Sequence, residues 1–419
     1  MPGLPHASCA PHSSIPDIPL EISGGQLPLL EAVDPQCYDA SRFPPQLPKM
    51  PPSKLGFIDA LRGLAALYVL FYHFTPITMP QAAAPRWLAP FTGLGGSGVT
   101  LFFVVSAFTL CLSMDARRHE EATPLLNYFL RRFFRIAPLF YVWIVLYCIR
   151  DKIVFDTTHP LSEIARSVFF LLNLSPGHEQ GFVWASWTLG VEMLFYIFFP
   201  AIFRQTGNVG RALAFYLCTL LIRALWHAIV PHLVADQATA AIYYNFSLLH
   251  HLPTFALGIA SYHAYKLLDV DRARQYGVGE ALTTVAITSL LALAYGLVQI
   301  GMFDGLTLQA IIYSILLIGL AINPPTLLVN RVTRFYGKIS YSVYLSHATT
   351  IFLMSKLFAI IYSYFSYVTA AYFLSIATAL TVITLLSWLT YRFVETPGNN
   401  LGRAAIRAIQ RWRTGNLVT

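Results

Sequence analysis

Apolar runs long enough to cross a hydrocarbon core recur from residue 56 to residue 391 of this 419-residue chain, and no other feature limits its fold as strongly. A bilayer core of about 30 Å needs about 20 apolar residues in a helix. By that length the sequence predicts about ten membrane helices, near 56–74, 92–113, 134–150, 182–203, 211–231, 242–266, 280–301, 306–323, 335–356 and 366–391. The expected fold is therefore all-α, a polytopic membrane bundle. Composition agrees: charged residues are 11% of the chain and hydrophobic residues 56%, against about 25% charged in soluble domains. Residues 163–174 are apolar but too short to span, so they read as a re-entrant or interfacial helix that Ser175-Pro176-Gly177 ends.

The net charge of +8 would suit nucleic acid if it formed a patch, but the Lys and Arg residues sit in short clusters between the apolar runs. That is a topology signal, and nucleic acid is excluded as a partner. With the N-terminus placed in the cytoplasm, that side holds 21 Lys and Arg, the far side 5, and Arg62 and Arg223 stay inside. Both termini are then cytoplasmic, in a plasma membrane or an endomembrane. Residues 1–54 carry 12 of the 26 prolines and read as a disordered cytoplasmic tail. Residues 55–397 read as the membrane domain and 398–419 as a basic cytoplasmic tail. Five dispersed cysteines with no CxxC support neither a disulfide framework nor a metal site.

Polar residues inside such spans mark function or a partner, because a central charge costs roughly 2.5–3.5 kcal/mol on insertion scales. The first span, FIDALRGLAALYVLFYHF, places Asp59, Arg62 and His73 on one helical face. Arg62 and His73 lie about 20° apart around the helix and roughly 16 Å apart along it. His73 has the residue type of a general base near neutral pH. Asp59 is left between an ion pair with Arg62 and a place in the catalytic set. Arg132 and Arg135 in YFLRRFFRIAP form an i, i+3 pair suited either to clamping phosphates or to plain positive-inside charge. Glu192, with Thr188 and Tyr196 at i−4 and i+4, faces the interior and pairs with Arg223 or a His, or holds an acceptor. Ser340, Tyr344 and His347 share a stripe on the ninth span, and His250 and His251 are further buried candidates.

Seven segments then occur in order: IDALRGLAALYVLFYHF, GVTLFFVVSAFTL, FLRRFFRIAP, SWTLGVEMLFYIFFP, LPTFALG, GKISYSVYLSH and YRFVETP. Together they resemble acyltransferase family 3, multi-pass O-acyltransferases that include bacterial surface-sugar O-acetylases. The resemblance covers residues 55–397. It implies that His73 is the catalytic histidine, that Arg62 is the first-span arginine, and that Arg132 and Arg135 serve acyl-CoA. Glu192 and His347 match recurring polar positions. Ser106-Ala107-Phe108 departs from the family's Ser-Gly-Phe, and Ala137 stands where an aromatic is usual. The long proline-rich tail is more similar to eukaryotic, especially fungal, members.

The expected activity is acyl transfer, chiefly acetyl, from acyl-CoA to a hydroxyl of a sugar, lipid or secondary metabolite. His73, Asp59 and Glu192 form the catalytic set, and Arg62, Arg132, Arg135, Tyr344 and His347 bind substrate. Acyl-CoA is a co-substrate, and no tightly bound cofactor is expected. The rival is a proton-coupled carrier, which shares intramembrane His, Arg and Glu. A carrier would show a two-fold hydropathy repeat, and the sequence has none.

Overall fold

A computed structural model describes residues 56–118, 121, 123–298 and 304–415. The segment read as a disordered tail, residues 1–54, lies outside them. The described chain is all-α. Its helices in order are α1 (Gly56–Ile77), α2 (Ala89–Gly93), α3 (Gly98–Arg117), α4 (Pro124–Phe155), α5 (Leu161–Val168), α6 (Trp187–Gln205), α7 (Val209–Leu233), α8 (Gln237–Asn245) and α9 (Leu248–Leu267). After them come α10 (Val270–Gln275), α11 (Val278–Ala294), α12 (Gly305–Ile322), α13 (Arg331–Lys338), α14 (Ser340–Leu353), α15 (Ser355–Tyr364), α16 (Val368–Thr390) and α17 (Thr396–Gly415). No strand occurs among the described residues.

Among the described residues seven helices are long and apolar enough to cross a membrane, or eight if α14 and α15, bent 60° apart, form one span. The ten expected spans include α9 and α11. Helix α9 is diluted by His250, His251, His263 and Lys266, and α11 is a shorter apolar helix of 17 residues. The expected span 242–266 is divided because Ser247 caps α9, taking the His250 N–H at 3.4 Å while Trp226 Nε1–H donates to the same hydroxyl at 2.8 Å. The outer row of α7 is Leu213, Leu217, Leu221, Leu225, Ile229 and Leu233, all exposed. Steps of four advance about 40° each, so the row winds around the helix over a broad outward surface, and an apolar surface facing outward is stable against lipid. The protein is an integral multi-pass membrane protein.

Helix α1 is the hub, packing against α3, α13 and α14. Lipid tails are as apolar as the side chains, so membrane helices associate through close van der Waals contact that small residues permit. At Gly337 of α13 a Cβ would stand 1.8 Å from the Asp59 carbonyl oxygen, and at Gly63 one would stand 2.2 Å from the Thr333 carbonyl oxygen. The backbones of α1 and α13 touch there with no room for a methyl group. The stretch from Thr396 to Gly415, which the sequence placed in a basic tail from 398, is helical and lies against α4. Gly398 sits over Pro138 and Gly402 over Phe134.

This packing predicts an unequal pair of alanine substitutions. Gly337→Ala should lower the melting temperature of the detergent-solubilised protein by several degrees, since overpacking costs about 1–3 kcal/mol. Gly207→Ala, where a Cβ meets nothing within 4 Å, should leave it unchanged. Equal melting temperatures for the two variants would show that the α1–α13 contact relaxes freely.

Candidate active site

The expected polar face of α1 divides between two neighbourhoods. Near the end of the helix His73 meets His347 of α14, with His347 Nε2 3.1 Å from His73 Nδ1. His347 is 1% exposed, and its Nδ1 lies 2.7 Å from the Tyr344 carbonyl oxygen. His73 Nδ1 also lies 3.1 Å from the Val69 carbonyl oxygen. A carbonyl oxygen only accepts, so both Nδ1 atoms carry hydrogen. His347 Nδ1–H then donates to Tyr344, and His73 Nδ1–H is shared between Val69 and the lone pair on His347 Nε2. His73 Nε2 is left as a basic nitrogen. The sequence placed His347 with the substrate-binding residues; the structure joins it to His73.

The second neighbourhood is a cavity of about 70 Å³ between α1, α3, α4, α6 and α14, lined by Arg62, Arg135, Glu192, Tyr344, Ser106 and Tyr196 among others. Glu192 accepts hydrogen bonds from Ser106 Oγ at 2.6 Å and from the Tyr196 hydroxyl. The partners weighed from sequence, Arg223 or a histidine, are not the ones used: Arg223 of α7 pairs with Asp304 at 2.9 Å. Among the described residues neither Arg62 nor Arg135 has an ion-pair partner within 4 Å. Two guanidiniums and one carboxylate line the cavity, and the buried Glu395 lies near enough to interact with both guanidiniums. Thr188 and Tyr344 share a hydroxyl–hydroxyl bond of 3.0 Å in its wall. One turn along α14 from Tyr344 stands His347.

The remaining expected residues are placed differently. The Arg132 guanidinium lies 5.9 Å from the Tyr128 ring centre and 5.6 Å from that of Tyr196, with a buried Nε lacking a partner. It borders the cavity wall rather than lining it. Asp59 is near the start of α1, about 21 Å from His73 by helical rise, and has no ion pair with Arg62. The catalytic set expected from sequence is thus not one cluster: Asp59 packs at the α13 crossing, and Glu192 belongs to the cavity. His251 is a core histidine whose Nε2–H donates to the Asn245 carbonyl at 3.0 Å, while its buried Nδ1 has no hydrogen-bond partner among the described residues.

Sequence reasoning missed three features. Ser106 supplies the hydroxyl on Glu192, visible in the motif only as a small polar residue. Glu395, 3% exposed, accepts from Ser342 Oγ at 3.1 Å. It ends a π-helical turn, Tyr391–Glu395, a distortion frequent at functional sites. The third is a chain of charges beyond the His73 end of the bundle. His159 bridges Asp151 and Glu163, each at 2.9 Å, and Arg150 ties Asp151 at 2.6 Å to Thr349 at 2.9 Å, two residues from His347. Arg150 also lies 3.9 Å from the centre of the Tyr147 ring and 4.6 Å from that of Trp184.

Burial alone would depress the His159 imidazole, but its hydrogen bonds to Asp151 and Glu163 outweigh this and raise its pKa above the ordinary value. A histidine with a raised folded pKa contributes stability below its unfolded value, about 6.5, and loses it as pH rises through the folded value. Thermal melts should therefore show stability falling as pH rises above about 6.5. His159→Gln should flatten that slope, and an unchanged slope would place its origin elsewhere.

Residues 55–392 match a protein-family model described as an acyltransferase domain. A candidate acetyltransferase of Acidianus two-tailed virus is 27% identical over 320 residues, 73% of this chain and 84% of that protein. A candidate O-acetyltransferase of Staphylococcus aureus strain MRSA252 is 24% identical over 388 residues, 85% of this chain. The chain spans only 58% of that relative's length. Acyltransferase MdmB of Streptomyces mycarofaciens is 29% identical over 175 residues, 38% of this chain and 42% of that protein. These relatives are viral and bacterial. No solved structure matches the chain.

Proposed function

The chain belongs to this family of acyltransferases, and on that premise we propose that it moves an acyl group, chiefly acetyl, from acyl-CoA to a hydroxyl, with His73 as general base. The observation that carries the reading is the His73–His347 pair. An acceptor hydroxyl gives its proton to His73 Nε2 as its oxygen attacks the thioester carbonyl. The C–S bond breaks, the acyl–oxygen ester forms, and the coenzyme A thiolate takes up the proton from His73. His347 is a positioning residue: accepting from Nδ1–H holds His73 in the tautomer whose Nε2 is the base and eases the imidazolium that forms. Arg62 and Arg135 stabilise the negative donor in the inner cavity, and Arg132 guards its approach. Attack by His73 itself, giving an acyl-imidazole and ping-pong kinetics, uses the same nitrogen. Sugars, lipids and secondary metabolites all present the required hydroxyl.

The charge count supports cytoplasmic termini, and acyl-CoA then enters from the α1 N-terminal end while the acceptor meets His73 near the other. The membrane itself is the plasma membrane or an endomembrane. The fungal-like cast rests on the proline-rich segment alone. With competing thiols removed, Arg331→Cys should react with an impermeant reagent only from the cytoplasm, and Tyr367→Cys only from the opposite side. The reverse labelling would invert the orientation.

For the chemistry, His73→Ala should lower kcat by about 10²–10⁴-fold while insertion is preserved. His347→Leu should also lower kcat and move its pH profile, since His73 loses its tautomer partner, with donor KM little changed. His347→Gln keeps an acceptor for Nδ1–H and should recover part of kcat. Activity of His73→Ala within a few-fold of the unmutated protein would remove His73 from the reaction.

A further inference from the structure

A second, larger cavity opens where α3, α4, α6 and α9 come together at the end of the bundle nearest the start of α1. Its volume is about 690 Å³, and its wall carries Arg118, Arg204, Lys266, His263 and Asp115 beside apolar side chains such as Phe129. Asp115 engages the Tyr262 hydroxyl at 2.6 Å, Lys266 at 2.8 Å and Arg118 at 3.4 Å. One carboxylate thus holds two of three cations, and Arg204 has no ion-pair partner among the described residues. His263 is 7% exposed, and its Nε2 is buried without a hydrogen-bond partner. A buried ring nitrogen left unsatisfied beside surplus cations is unfavourable unless a polar ligand completes it.

We propose that this cavity binds the phosphorylated nucleotide end of the acyl donor, on Arg118, Arg204 and Lys266. The proposal rests on the acyl-CoA reading above and assigns its largest part a site apart from the arginine pair. Size is the first argument. The inner cavity of about 70 Å³ admits a slim chain and no nucleotide, whereas about 690 Å³ lies in the usual range for ligand pockets. Charge is the second, because three cations against one carboxylate suit phosphate groups. Position is the third. Arg132, with its unpartnered Nε, stands over Tyr128 and Tyr196; Phe129, next to Tyr128, lines the outer cavity, and Tyr196 lines the inner one. A pantetheine arm passing beside that guanidinium reaches Arg62 and Arg135, with the thioester leading toward His73.

The test compares donors that differ only at the nucleotide end. Arg204→Gln and Lys266→Gln should each raise KM roughly tenfold for acetyl-CoA, the loss of about one charge-assisted contact. Acetyl-pantetheine, which lacks the nucleotide, should show the same KM in the variants as in the unmutated protein. Arg204→Gln orphans no ion pair, so the result is readable without loss of fold. Unchanged KM for acetyl-CoA overturns the proposal while leaving the acyl-CoA reading standing. A second arm is independent of activity: 3′,5′-ADP should raise the melting temperature of the detergent-solubilised protein, and less so for Arg204→Gln. No stabilisation overturns the proposal. In reconstituted vesicles, a variant defect that follows phosphatidylglycerol content and not the donor would assign the cations to a lipid headgroup, overturning it equally. A protein that binds 3′,5′-ADP yet transfers nothing from acetyl-CoA would instead count against the reading on which the proposal rests.

Discussion

A polar side chain within a hydrocarbon slab finds no water to satisfy it, and that single constraint organises this molecule. Every hydrogen-bonding group on the inner helices must turn inward and meet another, or leave room for a ligand. Helix α1 meets the demand by crossing α13 at backbone contact, Gly63 and Gly337 bringing the two axes together. That closeness carries α14 alongside α1, so that His347 comes within 3.1 Å of His73. Without the two glycines the helices would stand a side chain apart, and each histidine would need another partner in an apolar surround.

The sequence made the fold class legible because span length is a local property, read from one run of residues at a time. His73, Arg62 and Glu192 were legible for a related reason: a polar residue in an apolar run is conspicuous. What joins them was not. His73 and His347 are 274 positions apart, and no spacing rule links residues on helices whose neighbours are set by packing. Asp59 shows the converse. Helical periodicity put it on the same face as His73, yet sharing a face says nothing about sharing a site when the rise separates them by about 21 Å. The helix boundaries missed within 242–266 and 335–356 also have tertiary causes. Ser247 receives Trp226 from α7, and α13 is pressed onto α1.

The polar interior is divided by charge. The inner cavity holds Arg62 and Arg135 with Glu192, the outer one Arg118, Arg204 and Lys266 with Asp115. In each the cations outnumber the carboxylates, and in each a hydroxyl-bearing side chain, Tyr196 or Tyr262, donates to the carboxylate present. Held this way, an acidic group steadies the basic walls without neutralising them. On the donor reading proposed above, the phosphates stay at the outer cations while the slim arm passes inward to the second pair. A carrier for cations would need the opposite balance.

Among the described residues the histidine pair carries no carboxylate, and the surroundings explain why that is workable. Serine hydrolases place an aspartate behind the histidine to fix its tautomer and stabilise the imidazolium. A fixed anion beside His73, at low dielectric and away from any counter-ion, would itself need desolvating and pairing. A neutral imidazole fixes the tautomer equally well, since His347 Nε2 offers a lone pair and its own Nδ1–H is satisfied by Tyr344. A carboxylate does stand further along, Asp151, linked through Arg150 to Thr349 at the edge of the bundle, where pairing with His159 is inexpensive. With both Nδ1 positions bonded to neutral acceptors, the pair needs no fixed charge at rest, and on the mechanism proposed above the charge that His73 gains with a proton is transient. On that same proposal it is balanced by the thiolate leaving from the donor, so the separation of charge lasts only as long as the reaction that creates it.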